Sequence, residues 1–423
     1  MYKIGKSIEM SDTENVIWLE DKLLDGKVEI TEPYLKELRE LMVRGTETIE
    51  SELEKFLFEH KYLLEEAEAV SEVKKLNRIL EETLIFTILP TEKCNFRCIY
   101  CYENHEAENM SDTTLNHIKQ FLKEELENKE LRYIQINWFG GEPTLCIKQI
   151  EDFNEYVLGL KSEYGFHFSS GITTNGYLLN RELFKKLYAL GISSYQITLD
   201  GWNHDNTRIH VSGEKTLAHI VENLKEISGL PEDYDFEVWL RYNISKDNQD
   251  YSWYDYMKEL FGNDMRFMIY INFVRDWGGN DVKKVSLCSK KEIPEMERKH
   301  VEYMERINLR TRNSADKKFT ALSNVCYAAY LNSYIFRPDN DVVKCSVALE
   351  EKENIIGHTD MEKGVVINRQ QEKLWTETTI DNCGNCDYLI SCLHKACPKL
   401  MVVDKMPSDG CFMPHERSPE EKQ

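Results

Sequence analysis

Hydrophobic positions along the chain follow two different periods. Over residues 1–80 they come in short runs: Val16, Ile17, Trp18 and Leu19, then alternating Val28 and Ile30 beyond the Asp25-Gly26 turn, which predicts a hairpin. Helical spacing follows at Leu35, Leu38, Leu41 and Met42, and again at Leu53, Phe56 and Leu57, ending in Tyr62, Leu63 and Leu64. Strands and short helices in this length describe a winged-helix-like module over 1–80. From Leu84 the pattern changes to alternating strands and amphipathic helices. Candidate strands fall at 84–89, 132–139, 166–173, 194–199, 236–243 and 267–274, and Ser111 is placed as N-cap ahead of Leu115, Ile118, Phe121 and Leu122. This β/α repetition predicts an α/β fold, a parallel sheet with right-handed crossovers that closes only part of a barrel, over 84–285. Ligands on such sheets bind at the carboxyl ends of the strands. Residues 286–320 read as a helical bridge and 321–423 as a cysteine-rich C-terminal domain.

Composition narrows the function classes. The 423 residues are 41% hydrophobic, enough for real cores, and carry a net charge of −21. Phosphate binding relies on lysine and arginine, so nucleic acid is excluded as the main partner. The winged-helix-like segment points the same way: residues 1–84 hold 12 Lys plus Arg against 21 Asp plus Glu, a net of −9. Capture of an extended peptide along the hairpin edge suits that segment better than DNA reading. No run of 18 uncharged apolar residues occurs, and the start M-Y-K-I-G-K-S-I-E-M is charged where a signal peptide is apolar, so no membrane partner and a cytoplasmic location are expected. Twelve cysteines in such a compartment indicate metal rather than disulfides. Only Cys146 and Cys288 stand apart from clusters, as ordinary semi-buried thiols.

Cys94, Cys98 and Cys101 stand in T-E-K-C-N-F-R-C-I-Y-C-Y-E, directly after the first barrel strand. Three thiolates at this spacing hold three corners of a cubic iron-sulfur cluster and leave one iron to chelate a small molecule. A closed zinc site needs a fourth ligand, and His105 is the nearest conceivable one. The motif resembles the signature of the radical S-adenosylmethionine (SAM) enzymes, with Tyr100 as its internal aromatic. Trp138-Phe139-Gly140-Gly141-Glu142-Pro143, at the end of the next strand, resembles that family's loop for the SAM amino group, its glycines letting backbone carbonyls approach a ligand while Glu142 fixes the turn. Thr173, Thr174 and Asn175 end the third strand, and Gln196, Thr198 and Asp200 line or end the fourth. Arg241, on the fifth, carries a guanidinium suited to a carboxylate. The resemblance implies SAM contacts at Thr174, Gln196 and Arg241 beside Tyr100, Gly140, Gly141 and Glu142. Asp276, in V-R-D-W-G-G after the sixth strand, faces the substrate side, where a carboxylate receives a proton, holds substrate, or simply caps a turn.

Seven more cysteines lie downstream: Cys326, Cys345, Cys383, Cys386, Cys392, Cys397 and Cys411. The run C-x2-C-x5-C-x4-C resembles the SPASM domain, although the last gap is four where three is usual, and Asn340 stands where that family has glycine. Asparagine is the non-glycine residue that best tolerates a left-handed turn, so the turn is expected to survive. By analogy Cys383, Cys386, Cys392 and Cys411 complete one auxiliary cluster, while Cys326, Cys345 and Cys397 hold another with one open iron, unless Cys288 or Cys146 is its fourth ligand. An open iron is a ligand site for a substrate cysteine.

Taken together, the resemblance implies a partial (β/α)6 radical SAM barrel flanked by an N-terminal recognition element and a C-terminal SPASM domain, with SAM and three [4Fe-4S] clusters. It further implies a precursor peptide whose leader is held by the N-terminal domain, and reduced flavodoxin or ferredoxin as electron donor. Within the superfamily the chain most resembles the ranthipeptide synthases, which join cysteine sulfur to the β- or γ-carbon of an acceptor such as Asp. Sactipeptide-type Cα thioether synthases, carbon-carbon crosslinking maturases and peptide epimerases are the neighbouring alternatives, and an iron-sulfur electron carrier is the non-enzymatic one.

Overall fold

The computed structural model describes residues 2–5, 8–12, 16–21, 26–60, 62–65, 75–105, 108–279, 281–312, 322–379, 389–395 and 397–406. The chain divides into two compact units: Met1–Glu81 with Ala315–Leu331 and Lys373–Gln423, and Glu82–Ser314 with Asn332–Glu372. Cys383, Cys386 and Cys411 lie outside the described residues.

In the first unit, β1 (Tyr2–Ile4) is followed by three antiparallel strands, β2 (Ile8–Asp12), β3 (Val16–Asp21) and β4 (Gly26–Thr31), with β3 in the middle. The expected hairpin is thus a three-stranded meander in which Ile17 faces Ile30 and Leu19 faces Val28. Two helices follow, α1 (Leu35–Arg44) and α2 (Glu52–Glu59), the latter opened by a capping box between Ser51 and Glu54. Leu63 and Leu64, expected to end a helix, form β5 (Leu63–Glu65) against β1. The reason is that α2 stops at His60, leaving Tyr62 and Leu63 to complete a buried core with Ile8, Ile17, Leu19, Leu35, Leu38, Leu53 and Leu57.

The second unit is built on a ten-stranded sheet. Its parallel strands are β6 (Thr83–Ile88), β8 (Tyr133–Trp138), β9 (His167–Thr174), β10 (Ile192–Thr198), β12 (Glu237–Ile244) and β13 (Phe267–Phe273), close to the expected positions. The short strands β7 (Phe96–Cys98) and β11 (Arg208–His210) pair outside it. Helices α3 (Asp112–Asn128), α4 (Ile147–Tyr164), α5 (Arg181–Ala189), α6 (Leu217–Ser228), α7 (Ser252–Phe261) and α8 (Ile293–Arg306) accompany the strands. Ser111 caps α3 through the Thr114 amide, worth about 1 kcal/mol. Alternation divides the two faces of the sheet: Ile134, Ile136 and Trp138 of β8 are buried, Trp138 bonding Asn154 of α4, while Gln135 and Asn137 on the other face are half-buried.

One extension was not expected. β14 (Asn332–Phe336) pairs parallel with β6, and β15 (Asp341–Val343), β16 (Ile355–Asp360) and β17 (Gly364–Ile367) continue the sheet antiparallel, so part of the 321–423 segment lies in the barrel's own unit. The physical reason is in β6: all six of its residues are buried, the signature of a strand with neighbours on both edges. Asn340 does take the left-handed turn between β14 and β15, at φ 74, with Oδ1 accepting from the Thr114 hydroxyl at 2.8 Å. Among the described residues no helix is long and apolar enough to cross a membrane.

Candidate functional site

The three cysteines of the first motif leave the end of β6 on one loop. Cys98 sits in β7, paired with Arg208 of β11, and the Cys101 amide donates to the Cys98 carbonyl at 3.0 Å. All three thiols are half-buried and none is in a disulfide. Burial, then the charge of Glu142, pushes Cys94 up to about 12. Cys98 and Cys101 are raised mainly by burial as well. The thiols are therefore held protonated until a positive centre replaces the protons. Among the described residues no group of three or more His, Cys, Asp or Glu side chains is arranged to hold a metal ion.

The glycine loop is locked onto this cysteine loop. Gly141 and Glu142 donate backbone N–H bonds to the Thr91 and Lys93 carbonyls, at 3.2 and 3.0 Å. A methyl group on Gly141 would lie 2.3 Å from the Lys93 oxygen, and one on Gly140, at φ 107, would lie 2.4 Å from the Thr91 oxygen. Both glycines thus bring their backbone against residues 91–93 and fix where the cysteine loop starts. Glu142 is fully buried. Its Oε1 accepts from the Thr144 amide and hydroxyl and from the Thr174 hydroxyl at 2.7 Å, and its Oε2 accepts from the Asn175 amide at 2.7 Å. The Thr174 hydroxyl is thereby turned to Glu142. Asn175 Nδ2 lies 4.0 Å from Cys94 Sγ.

On the other side of the mouth, Tyr100 donates its hydroxyl to Asp200 Oδ2 at 2.6 Å and accepts from Arg208 and from Asn243 Nδ2, each at 3.0 Å. Asp200 is fully buried and also accepts from Thr207 Oγ1 at 2.8 Å. His204, driven down to about 3 by burial and then by Arg208, receives the Asp200 amide on Nδ1 at 3.3 Å. Sequence reasoning missed Arg208, Asn243 and His204: each is a single polar residue with no spacing signal. Gln196 aligns with Thr173 on one side and Trp239 on the other, a half-buried row inside the barrel. Arg241 donates Nε to Asn243 Oδ1 at 2.9 Å and lies 6.0 Å from the Tyr270 ring centre.

Asp276 is exposed and accepts from the Gly278 amide at 3.0 Å, so the turn-capping role is present. Gly279, at φ 92, brings that loop against the cysteine loop: a methyl there would lie 2.2 Å from the Cys101 oxygen. Cys146 points at the Pro90 carbonyl, 3.8 Å away, and Cys288 is buried. Of the downstream cysteines, Cys345 is buried in the barrel unit, its amide bonded to Asn354 Oδ1 at 2.8 Å, while Cys326, Cys392 and Cys397 belong to the other unit.

Comparison with known proteins agrees with this geometry. Residues 88–231 match the model of the radical SAM superfamily. The S-adenosylmethionine-dependent nucleotide dehydratase of Pseudoalteromonas ulvae is 32% identical over 130 residues, covering 26% of this chain and 40% of that protein. The chain thus spans about two fifths of the length of this relative. Among solved structures, anSMEcpe with bound AdoMet and the Kp18Cys peptide has a TM-score of 0.56 at 17% identity, covering 73% of this chain and 88% of that one. Streptococcus suis SuiB bound to precursor peptide SuiA has a TM-score of 0.52 at 14% identity, covering 95% of this chain and 97% of that one, so the likeness to both is one of fold. The cysteine loop, the glycine loop locked to it and the parallel strands beneath them make residues 88–231 a radical SAM superfamily domain.

Proposed function

We propose that the chain is a radical SAM peptide maturase that installs thioether crosslinks, joining a cysteine sulfur to a β- or γ-carbon of an acceptor such as Asp in a ribosomally made precursor peptide. The observation that carries the reading is the lock between the two loops, which presents three reduced thiols and the polar barrel row at one mouth. The residues fit the groups the superfamily uses: Cys94, Cys98 and Cys101 for a four-iron cluster, and Gln196 and Arg241 within the barrel for SAM. When bound, that pair supplies reductive cleavage of SAM to methionine and a 5'-deoxyadenosyl radical that removes a substrate hydrogen.

The chain's own residues do the positioning. Glu142 and the glycines hold the cysteine loop at the ends of β8 and β9. Arg241, with Nε engaged by Asn243, keeps its outer N–H edge for a carboxylate. The winged-helix-like N-terminal module suits capture of the leader, its sheet edges being β2 and β4. The C-terminal cysteines suit a SPASM domain with auxiliary clusters, and ferredoxin or flavodoxin suits the electron supply. SuiB and anSMEcpe, whose structures hold peptides, share the fold.

The test is mass spectrometry of a cysteine-containing peptide, encoded beside the gene, after anaerobic reaction with the reconstituted protein. Each crosslink removes the thiol hydrogen and one carbon-bound hydrogen, so the expected product is lighter by two hydrogens per bond and resists cysteine alkylation. A C94A/C98A/C101A variant is expected to return the peptide unchanged and to form no 5'-deoxyadenosine. SAM cleavage with a fully alkylatable peptide would sink the thioether assignment.

A further inference from the structure

A directional chain of hydrogen bonds joins the cysteine motif to Arg241. Asp200 Oδ2 accepts from the Tyr100 hydroxyl at 2.6 Å; that hydroxyl accepts from Asn243 Nδ2 at 3.0 Å; and Asn243 Oδ1 accepts from Arg241 Nε at 2.9 Å. Its two ends fix its sense. A carboxylate only accepts and a guanidinium only donates, so the residue between Tyr100 and Arg241 must accept on one side and donate on the other, as a carboxamide does. The bridge is buried and stiff: Asn243 is 5% exposed and Asp200 0%. The Asn243 amide also points at Asp200 Oδ1, 3.4 Å away, its carbonyl accepts from Asn248 Nδ2 at 2.9 Å, and the Leu199 amide donates to the Arg241 carbonyl at 2.8 Å. Arg208 closes the far side, donating to the same Tyr100 oxygen while lying opposite Cys98 in the strand pair.

From this we infer that Asn243 is a positioning residue that sets the Arg241 guanidinium at a fixed place relative to the cysteine loop, so that Arg241 meets the carboxylate of an amino-acid-bearing cofactor in register with the metal end of the same molecule. The inference rests on the reading of the mouth as a SAM site. With Nε held by Asn243, the guanidinium presents its two terminal nitrogens as a fork, the geometry that takes a carboxylate bidentately. Without Asn243 the side chain keeps its charge but loses its aim.

The experiment is equilibrium binding of SAM to the reconstituted full-length protein by calorimetry. The change in the cluster's electron paramagnetic resonance signal on adding SAM is recorded alongside; neither readout needs turnover. N243L is close to isosteric and is expected to bind about tenfold more weakly, the size of one lost bond to a charged group. R241Q should lose at least as much, and N243L/R241Q no more than R241Q alone within about twofold, because the residues act in series. N243L binding like the wild type, or a double mutant whose loss is the product of the singles, overturns the inference. Loss of cluster iron from N243L also overturns it, since Asn243 then holds the cysteine loop itself. If N243L does not fold, N243D is read instead: its carboxylate keeps Arg241 but offers a competing counter-charge and no donor to Tyr100, so weaker SAM binding is expected and unchanged affinity overturns the inference. Wild-type protein that carries its iron yet binds no SAM overturns the SAM-site reading and this inference with it, whereas wild-type binding with unaffected variants overturns this inference alone.

Discussion

On the β6 to β9 side the barrel mouth is held by backbone: two glycines let residues 140–142 bond directly to residues 91–93, and one buried carboxylate gathers the end of β9. On the β10 to β12 side it is held by side chains: Tyr100, Asp200, Thr207, Arg208 and Asn243 meet in a buried polar network. The first arrangement fixes where the cysteine loop begins and leaves no freedom for a side chain at the contact. The second fixes where that loop ends, and its geometry is only as firm as each donor and acceptor in it. Backbone locks are all-or-none, whereas networks fail by degrees.

The sharpest way to break this contrast is Gly141→Ala. The added methyl would meet backbone oxygens of Lys93 and Glu92 at 2.3 and 2.4 Å, and neither can move without shifting the cysteine loop. A cost of about 3 kcal/mol is expected, with loss of reconstituted iron. Thermal unfolding and iron analysis measure both. A stable, iron-replete G141A protein would show that the glycines do not set the loop.

Glu142→Gln probes the same half more gently. The carboxylate accepts from donors on both oxygens, whereas glutamine must turn an NH2 toward one of them. About 2 kcal/mol of destabilisation is expected, because a buried donor loses its acceptor. An E142Q midpoint equal to that of the wild type would mean that the Thr144, Thr174 and Asn175 bonds contribute nothing net.

These two halves also differ in how far they can be read from the sequence. The barrel strands were legible within a residue or two because alternation and helical spacing are strong over long segments, and the cysteine and glycine motifs were legible because each residue type has few other uses at that spacing. The local contacts were less so: Gly140 and Gly141 approach the backbone of residues 91–93 and Thr174 bonds Glu142, since only the fold shows what a close approach is made to. The side-chain half gave almost no signal. Arg208 reaches Tyr100 through the β7–β11 pair, a contact between residues 108 positions apart, and Asn243 does so across 143. The β14–β17 extension gave no signal for a related reason, since β14 is recruited to the second edge of β6, far away in sequence.

The mildest test sets the halves against each other by pH. His204 is fully buried, and burial holds it down to about 3, against an ordinary histidine near 6.5. Between those values the unfolded chain takes up a proton that the folded one refuses, so stability falls as pH falls. Glu142 works in the opposite sense: burial raises its carboxyl above the usual range, so its unfavourable charge is relieved as pH drops through the folded value toward 4.5. His204→Gln retains an amide oxygen as an acceptor for the Asp200 amide and does not titrate. Relative to it, the wild type should lose about 1 kcal/mol on going from pH 6.5 to 5.5. Urea unfolding at the two pH values reads this directly. Parallel behaviour of H204Q and wild type would show that His204 is not the group that makes the network side of the mouth acid-sensitive, and would shift that sensitivity to the carboxylates around it.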